Sequence, residues 1–352
     1  MIKKTLLALL LCIPVGGVAQ KLYFPPANSD EWDTVSPQSL HWNQAKIDSL
    51  YNYLEQGNTK AFILLKDGKI VLEKYFGGHT KDSLWYWASA GKSLTAFLTG
   101  IAQQEKYLSV TAPSSNYLGM GWTSATPEQE SKITVWHQLT MTSGLDEGSG
   151  IGFCTDDSCL TCKADAGTRW AYHNAPYTLL DNVLLKASGK TLNEYVQLKL
   201  TPVTGITGYY YLVGYNKIFF STARDMAKFG LLVLNKGNWN GYPVLADTVF
   251  FNRMTNTSQP FNKSYGYLWW LNGKSSYMQP QSQKVFEGFL FPDAPADVIA
   301  ALGTNGQIIN ISPSRNMVVI RMGGASKIKE RAAVSSSLSN RIWQFINSFE
   351  DN

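Results

Sequence analysis

Residues 85–101 read WYWASAGKSLTAFLTGI, a stretch that combines the pattern of a buried helix with two reactive side chains. Its apolar residues recur at the spacing of one helical face: Leu94, Phe97, Leu98 and Ile101. This spacing predicts a helix that begins at about Ser89 and turns one face to a core. Because Lys92 follows one helical turn after Ser89, both side chains can point the same way.

The Ser89–Lys92 pair offers the chemistry of a nucleophile and its base. The free N–H groups of a first helical turn favour an oxyanion. Burial disfavours the charged form of a lysine, so a buried Lys92 could take the proton of the serine hydroxyl. The alternative is a solvated lysine on a helix surface, and the apolar face argues against it because it places this helix in the core.

Strand-like runs lie on both sides of this helix in the chain. Two early runs, at residues 61–65 and 70–76, flank Asp67-Gly68, a strong signal of a two-residue hairpin turn. Three late runs follow, at residues 298–302, 307–311 and 317–322. Helical patterns occupy the chain between the two groups, and hairpin-length connections favour antiparallel pairing.

The predicted fold class is therefore α+β. We expect an antiparallel sheet of about five strands flanked by helices. An all-helical lobe at about residues 105–275 is inserted in the sheet part. A cleft between the sheet and the lobe is the expected place for a site.

The first residues have the pattern of an export signal. Lys3 and Lys4 precede a short apolar run at residues 6–13, and the small-x-small pattern of a cleavage site follows at residues 17–19. We expect cleavage near Ala19, which predicts a periplasmic or extracellular protein.

The rest of the chain divides into an extension and one domain. Residues 20–44 are rich in Pro, Asn, Ser and Asp and read as an N-terminal extension, and residues 45–352 form the domain. No later segment reaches about 18 uninterrupted apolar residues, so we expect no integral membrane segment once the signal is removed.

The charge does not indicate a nucleic-acid partner. The formal net charge of +5 falls to +3 when the two signal lysines leave, and the basic residues are scattered.

Three cysteines remain after the signal: Cys154, Cys159 and Cys162. In an exported protein a local disulfide with one thiol left over is the favoured interpretation. A zinc site would need a fourth ligand, for which only His173 is near, so no metal is predicted. Free thiols in a loop are the third alternative.

The histidines do not indicate a catalytic triad. Neither Gly-x-Ser-x-Gly nor His-Glu-x-x-His occurs in the sequence. Tyr172 and Asn174 form the only Tyr-x-Asn of the chain. Tyr172 could relay a proton, and Asn174 could hold the lysine or a substrate amide. A buried tyrosine with a satisfied hydroxyl is the structural alternative.

A glycine-containing turn precedes one of the late strands. Thr304, Asn305 and Gly306 lead into Gln307. Gly306 would let the backbone approach a substrate closely, and the Gln307 N–H could join that of Ser89 in an oxyanion hole. A hairpin turn explains the same residues equally well.

The order of these motifs resembles that of a known family. Ser-x-x-Lys, then Tyr-x-Asn, then a glycine-containing strand triplet is similar to the serine β-lactamases and penicillin-binding proteins. The chain most resembles the branch of class C β-lactamases, DD-carboxypeptidases, esterases and 6-aminohexanoate-oligomer hydrolases. The resemblance covers roughly residues 45–345, with three further matching segments: LTMTSGL at 139–145, STARDMA at 221–227 and YGYLWW at 265–270.

The resemblance implies a role for each motif. Ser89 would be acylated, and Lys92 and Tyr172 would share the general-base and general-acid work. Asn174 would position them, water would release the acyl group, and no cofactor is implied. The implied fold, an antiparallel sheet beside a helical lobe, agrees with the strand and helix pattern.

One departure from the family concerns the substrate. The family triplet usually begins with Lys or His, a cation that helps to hold a substrate carboxylate, whereas this chain has Thr304. Thr304 supplies no charge, and His173 or Arg169 are the residues that could compensate. We therefore expect small-molecule or peptide-like ester or amide substrates without a mandatory carboxylate.

The expected function is that of an exported serine hydrolase acting as an esterase or amidase. A β-lactamase or a D-Ala-D-Ala carboxypeptidase is the alternative among enzymes. A non-catalytic cell-wall-binding protein on the same fold is the alternative from another class.

Overall fold

The computed structural model of the chain describes residues 22–148, 152–325 and 335–350. The export signal predicted at residues 1–19 lies outside the described residues. Within them, no helix combines the length and the apolar character needed to cross a bilayer.

The strands are β1 (Thr59–Lys66), β2 (Lys69–Tyr75), β3 (Trp85–Tyr86), β4 (Tyr209–Val213), β5 (Asn216–Ser221), β6 (Asn238–Trp239), β7 (Tyr242–Pro243), β8 (Trp270–Leu271), β9 (Ser276–Met278), β10 (Val285–Glu287), β11 (Ile299–Gly303), β12 (Gln307–Ser312) and β13 (Met317–Gly323). The helices are α1 (Gln44–Gln56), α2 (Gly91–Gln104), α3 (Ser115–Leu118), α4 (Pro127–Ser131), α5 (Val135–Leu139), α6 (Asn174–Thr178), α7 (Leu180–Ser188), α8 (Leu192–Lys199), α9 (Thr201–Thr204), α10 (Ala223–Leu234), α11 (Thr248–Met254) and α12 (Ser336–Asn347). Short 3-10 helices cover Pro37–Leu40, Ala88–Ala90 and Asp157–Cys159.

The main sheet has six strands in the order β2-β1-β13-β12-β11-β8. Every neighbouring pair in it is antiparallel. The early and late strands meet at the β1–β13 pair, where Leu64 lies opposite Val319. The predicted antiparallel sheet of about five strands is confirmed, and the short strand β8 adds an edge that the sequence did not indicate.

The β1–β2 hairpin turns at Asp67 and Gly68, as the sequence predicts. Their φ angles of 53° and 83° lie in the left-handed region that a tight two-residue turn requires. A Cβ atom on Gly68 would lie 2.0 Å from the Tyr23 carbonyl oxygen. Both the conformation and the available space therefore require glycine here.

Helices cover both faces of the sheet. Helix α10 packs against β12 and β13, and a Cβ atom on its Gly230 would lie 2.5 Å from Val318 Cγ1 and 3.3 Å from Ile309 Cγ2. At α12, Ser339 Oγ accepts a hydrogen bond of 2.7 Å from Asn310 Nδ2. Since Ile309 and Asn310 are successive residues of β12, α10 and α12 lie on opposite faces.

Helix α2 runs through the core and is surrounded by protein. The predicted apolar face is buried, and so is every other residue from 91 to 102. Polar residues outside the apolar face form hydrogen bonds within the protein. Ser93 Oγ donates to the Leu268 carbonyl at 2.7 Å, and Thr99 Oγ1 donates to the Thr95 carbonyl at 2.8 Å. Lys92 is thus an ionisable group in a helix that has no solvent-facing side over its first turns.

The lobe between α2 and β8 is mostly helical but also contains strands, contrary to the expectation. Strands β4 and β5 form a hairpin around Gly214, which has a φ of 60°. Strand β5 also pairs with β3, with Tyr86 opposite Phe220. Strands β6 and β7 form a second, two-stranded sheet. The predicted all-helical lobe at about residues 105–275 therefore contains two small sheets. The aromatic sequence YYYLV of β4 is typical of a strand, so this departure has a local signal in the sequence.

Candidate active site

Ser89 lies in the short 3-10 turn directly before α2. The preceding Ala88 has a φ of 46°, a left-handed conformation that strains an alanine. Two hydrogen bonds from Trp87 hold this turn. Its backbone N–H donates to the Phe219 carbonyl at 2.8 Å, and its Nε1–H donates to Ser221 Oγ at 2.8 Å. Strand β5 therefore fixes the position of the serine.

Lys92 is buried beside the serine. The residue is only 4% exposed, and its Nζ donates to Ser89 Oγ at 3.0 Å. Nζ also lies 4.3 Å from the ring centroid of Tyr177 and 5.2 Å from that of Tyr172. Burial lowers the pKa of Lys92 to about 7, and no carboxylate of the described residues opposes this effect. A large share of this amine is therefore uncharged at neutral pH.

The structure brings Tyr172 to the same serine. Burial raises the pKa of Tyr172 above its ordinary value, and a hydrogen bond with Ser89 offsets only part of that rise. The phenol therefore keeps its proton at neutral pH. Its ring is stacked on Trp270, with 6.0 Å between the centroids.

The LTMTSGL stretch at residues 139–145 supports the segment that carries Tyr172. Met141 accepts two hydrogen bonds from it: the carbonyl accepts from the Ala171 N–H at 2.9 Å, and Sδ accepts from the His173 N–H at 3.4 Å. This stretch, which the resemblance singled out, therefore has a positioning role in the structure.

A cavity of about 270 Å³ opens at Ser89, and we call it the active-site cavity. It is lined, besides Ser89 and Lys92, by three residues expected from the sequence: Asn174, Thr304 and Asn305. The apolar and aromatic lining residues are Tyr86, Ala88, Phe153, Tyr177 and Ile218, and β5 adds Asn216 and Lys217. A mostly apolar cavity with a few polar groups suits a small organic substrate.

The end of β11 touches the turn that carries Ser89. A Cβ atom on Gly303 would lie 2.5 Å from the Trp87 carbonyl oxygen and 3.0 Å from the Ala90 nitrogen. Only glycine allows this approach, and the next residue, Thr304, lines the active-site cavity. The glycine of close approach is therefore Gly303.

Gly306 and Gln307, expected at an oxyanion hole, do not line the cavity. A Cβ atom on Gly306 would lie 1.9 Å from Arg321 Nη1. The Gln307 side chain is buried against Gly323: its Nε2 donates to the carbonyl at 2.6 Å, and its Oε1 accepts from the N–H at 3.0 Å. Both residues thus pack within the sheet part of the molecule.

Neither residue expected to replace the missing cation of the triplet offers a free charge. Both Arg169 terminal nitrogens donate to Glu147, at 2.7 and 2.6 Å. His173 is buried, and burial lowers its pKa to about 4, so the imidazole is neutral at neutral pH.

Sequence reasoning missed the contribution of β5 to the site. Asn216, Lys217 and Ile218 line the active-site cavity, and Asn216 Oδ1 accepts a hydrogen bond from Thr178 Oγ1 at 3.0 Å. The strand-like runs on either side of Gly214 were the available signal for this hairpin.

The local disulfide favoured by the sequence joins Cys154 and Cys159, and Cys162 is the free thiol. Asp156 is close enough to both bonded sulfurs to suggest a metal site by distance. Sulfurs joined to each other are not thiolates, so they do not offer the ligand set that zinc prefers. The disulfide directly follows Phe153, which lines the active-site cavity.

An antiparallel sheet beside an inserted lobe, with Ser-x-x-Lys at the start of a core helix, defines the class of the serine β-lactamases and penicillin-binding proteins. The chain belongs to the β-lactamase family, whose model matches residues 55–323. It has the hydrolase fold of that family, whose members are serine hydrolases.

Three solved structures share this fold but little sequence with the chain. A Bacillus anthracis protein named, provisionally, as a 6-aminohexanoate-dimer hydrolase aligns with a TM-score of 0.70 over 92% of this chain and 89% of its own, at 19% identity. A β-lactamase/D-alanine carboxypeptidase from Pseudomonas syringae aligns with a TM-score of 0.61 over 86% and 98%, at 17% identity. An octameric penicillin-binding protein homologue from Pyrococcus abyssi aligns with a TM-score of 0.63 over 87% and 76%, at 16% identity. No curated protein is detectably similar in sequence.

Proposed function

We propose that the protein is an exported serine hydrolase that cleaves esters or amides through an acyl-enzyme on Ser89. The observation that carries the proposal is the hydrogen bond of 3.0 Å from the buried Lys92 amine to the Ser89 hydroxyl. A serine nucleophile needs a base within hydrogen-bonding reach, and a desolvated lysine can serve. No histidine lines the active-site cavity among the described residues.

The shifted pKa values of Lys92 and Tyr172 assign a different proton transfer to each residue. Lys92, whose pKa falls to about 7, accepts the proton of Ser89 as Oγ attacks the substrate carbonyl. Tyr172, whose pKa rises on burial, rests as a phenol and donates its proton to the leaving oxygen or nitrogen. The proton on Lys92 restores the phenol. Water then attacks the acyl-enzyme with the amine again as base, and the proton returns to Ser89.

The backbone around the cavity supplies candidates for the oxyanion hole. At Gly303, the end of β11 packs against the turn that carries Ser89. Ser89 and the next residue, Thr304, both line the cavity. We assign the two donors to the Ser89 and Thr304 N–H groups, in place of the Gln307 N–H expected from the sequence. Each such donor typically contributes ~10²–10³ in rate.

The cavity lining supports ester or amide substrates that need no carboxylate for binding near Thr304. Thr304 carries no charge, Arg169 is paired with Glu147, and His173 is neutral. Asn174 lines the cavity and offers both a donor and an acceptor to a substrate amide. No step of this reaction uses a cofactor.

A β-lactamase or D-Ala-D-Ala carboxypeptidase is the second candidate, favoured by the likeness to the Pseudomonas syringae protein of that name. Burying an ionisable group such as Lys92 costs free energy, and a catalytic role explains why the protein does so. A non-catalytic binding protein would have no such use for Lys92.

Activity-based labelling tests the proposal. A fluorophosphonate should label the wild-type protein and fail to label a folded Ser89→Ala variant. A panel of short esters, amides and a chromogenic cephalosporin then ranks the substrates, and we expect the esters or amides to lead. If the cephalosporin is hydrolysed efficiently and the esters are not, the second candidate is favoured instead. If the wild-type protein is not labelled, the non-catalytic binding protein is favoured.

A further inference from the structure

Lys217 is the cation of the active-site cavity that the proposed reaction does not use. It lies on β5, between Asn216 and Ile218, which also line the cavity. Its side chain is 36% exposed, unlike the buried Lys92. Because β5 is bonded to Trp87 through the Phe219 carbonyl at 2.8 Å, the position of Lys217 relative to Ser89 is fixed.

A buried carboxylate anchors this ammonium from behind. Asp181, in the first turn of α7, forms an ion pair with Lys217 and is 8% exposed. Asp181 does not line the active-site cavity; it lies in a small adjoining space with Thr95 and Tyr177. An ammonium has three donors, so one contact with Asp181 leaves others free to face the cavity.

The positive charge that the lining presents to a substrate comes mainly from Lys217, because a large share of the Lys92 amine is uncharged at neutral pH. Lys92 and Lys217 are the basic residues of the lining, and no Asp or Glu is among the described residues that line the cavity. Polar but uncharged groups, Asn174, Asn216 and Thr304, complete the polar lining. Such a lining attracts an anionic group and repels an ammonium group on a bound molecule.

We infer that Lys217, anchored by Asp181, is a specificity-determining residue that binds a carboxylate of the substrate at a distance from the scissile bond. This inference rests on the proposed function and deepens it. The favoured substrates are esters or amides that end in a carboxylate, neutral ones are accepted, and ones that end in an ammonium group are disfavoured. Asp181 restrains this preference because its own charge opposes the bound carboxylate.

Three para-nitrophenyl esters of equal acyl length test the inference: the hexanoate, the monoester of adipate and the ω-trimethylammonio-hexanoate. A second series carries the same three end groups on the leaving alcohol. The quantity compared is the ratio of kcat/KM for the carboxylate ester to kcat/KM for the neutral ester. In one of the two series, Lys217→Gln should lower this ratio by roughly fivefold, which is the effect of a partly exposed charge pair. Lys217→Arg should keep the ratio, and Asp181→Asn should raise it. The inference is overturned if Lys217→Gln leaves the ratio unchanged in both series.

A binding measurement separates this inference from the proposed function. The Ser89→Ala variant should bind the same esters without cleaving them, and calorimetry should show tighter binding of the carboxylate ester, lost on adding Lys217→Gln. If the wild type hydrolyses none of the esters but the variant shows this charge preference, the proposed function fails and the inference holds. If hydrolysis depends on Ser89 but no charge preference exists in turnover or binding, the inference fails and the proposed function holds. Thermal melting confirms that each variant is folded.

Discussion

The backbone N–H of Trp87 donates to the Phe219 carbonyl at 2.8 Å, and this bond joins the turn of the candidate nucleophile to the lobe. Trp87 lies two residues before Ser89, and Phe219 lies two residues after Lys217. The serine and one wall of the active-site cavity are therefore held together by strand pairing, although 130 or so residues of chain separate them.

Removing the second bond of Trp87 should loosen this junction. Ser221→Ala leaves the Trp87 Nε1–H, which is fully buried, without its acceptor. We expect a loss of about 1–3 kcal/mol in the free energy of unfolding, with reduced kcat because the serine turn is less fixed. Denaturant unfolding measures the loss. Ser49→Ala, which removes an exposed hydroxyl of α1, is the matched control and should change stability little.

Activity should depend on the protonation of Lys92. The base must be uncharged, and burial sets its pKa at about 7, so kcat/KM should rise with pH through that value and then level off. Tyr172 should add no inflection until well above pH 10, because burial raises its pKa. A pH profile with an uncharged ester measures this. A profile flat from acid to neutral pH would assign the base to another group.

Lys92 should also lower stability in a pH-dependent way. Below pH 7 it is charged in both states, and the folded protein bears the full cost of burying that charge. Between pH 7 and 10.5 the folded state has released a proton that the unfolded state still holds, so stability rises with pH. Lys92→Met should therefore be inactive yet more stable, by about 1–2 kcal/mol near neutral pH, with the gain shrinking toward pH 10.5. Melting curves across this pH range provide the measurement, and a gain independent of pH would contradict the assignment.

The assignment of an oxyanion donor to Thr304 predicts different effects for two substitutions at one position. Thr304→Pro removes the backbone N–H and should lower kcat by ~10²–10³, with a smaller effect on KM. Thr304→Ala keeps the N–H and should retain most activity. If the two variants have equal kcat, the donor lies elsewhere.

The elements that depend on local patterns could be predicted from the sequence. Asp67 and Gly68 predict their hairpin because positive φ at both positions is a local requirement, and the structure shows it. The contact between Ser89 and Lys92 follows in the same way from helix geometry, since one turn brings the two side chains together.

The parts that depend on distant contacts could not be predicted. Gly303 and Gly306 differ in role because of where β11 ends against the Ser89 turn, and spacing does not reveal this. Arg169 was a candidate substrate cation until the fold paired it with Glu147. Lys217 was not among the residues singled out from the sequence, because nothing local shows that β5 pairs with the strand that leads into the nucleophile.

The most direct test of the account is to locate the acyl group on the enzyme. Turnover of an activated ester is stopped by acid, the protein is digested, and mass spectrometry identifies the modified peptide. We predict an adduct on Ser89 that is absent in Ser89→Ala and forms far more slowly in Lys92→Met. An adduct on another residue, or unchanged modification of the Ser89→Ala protein, would contradict it.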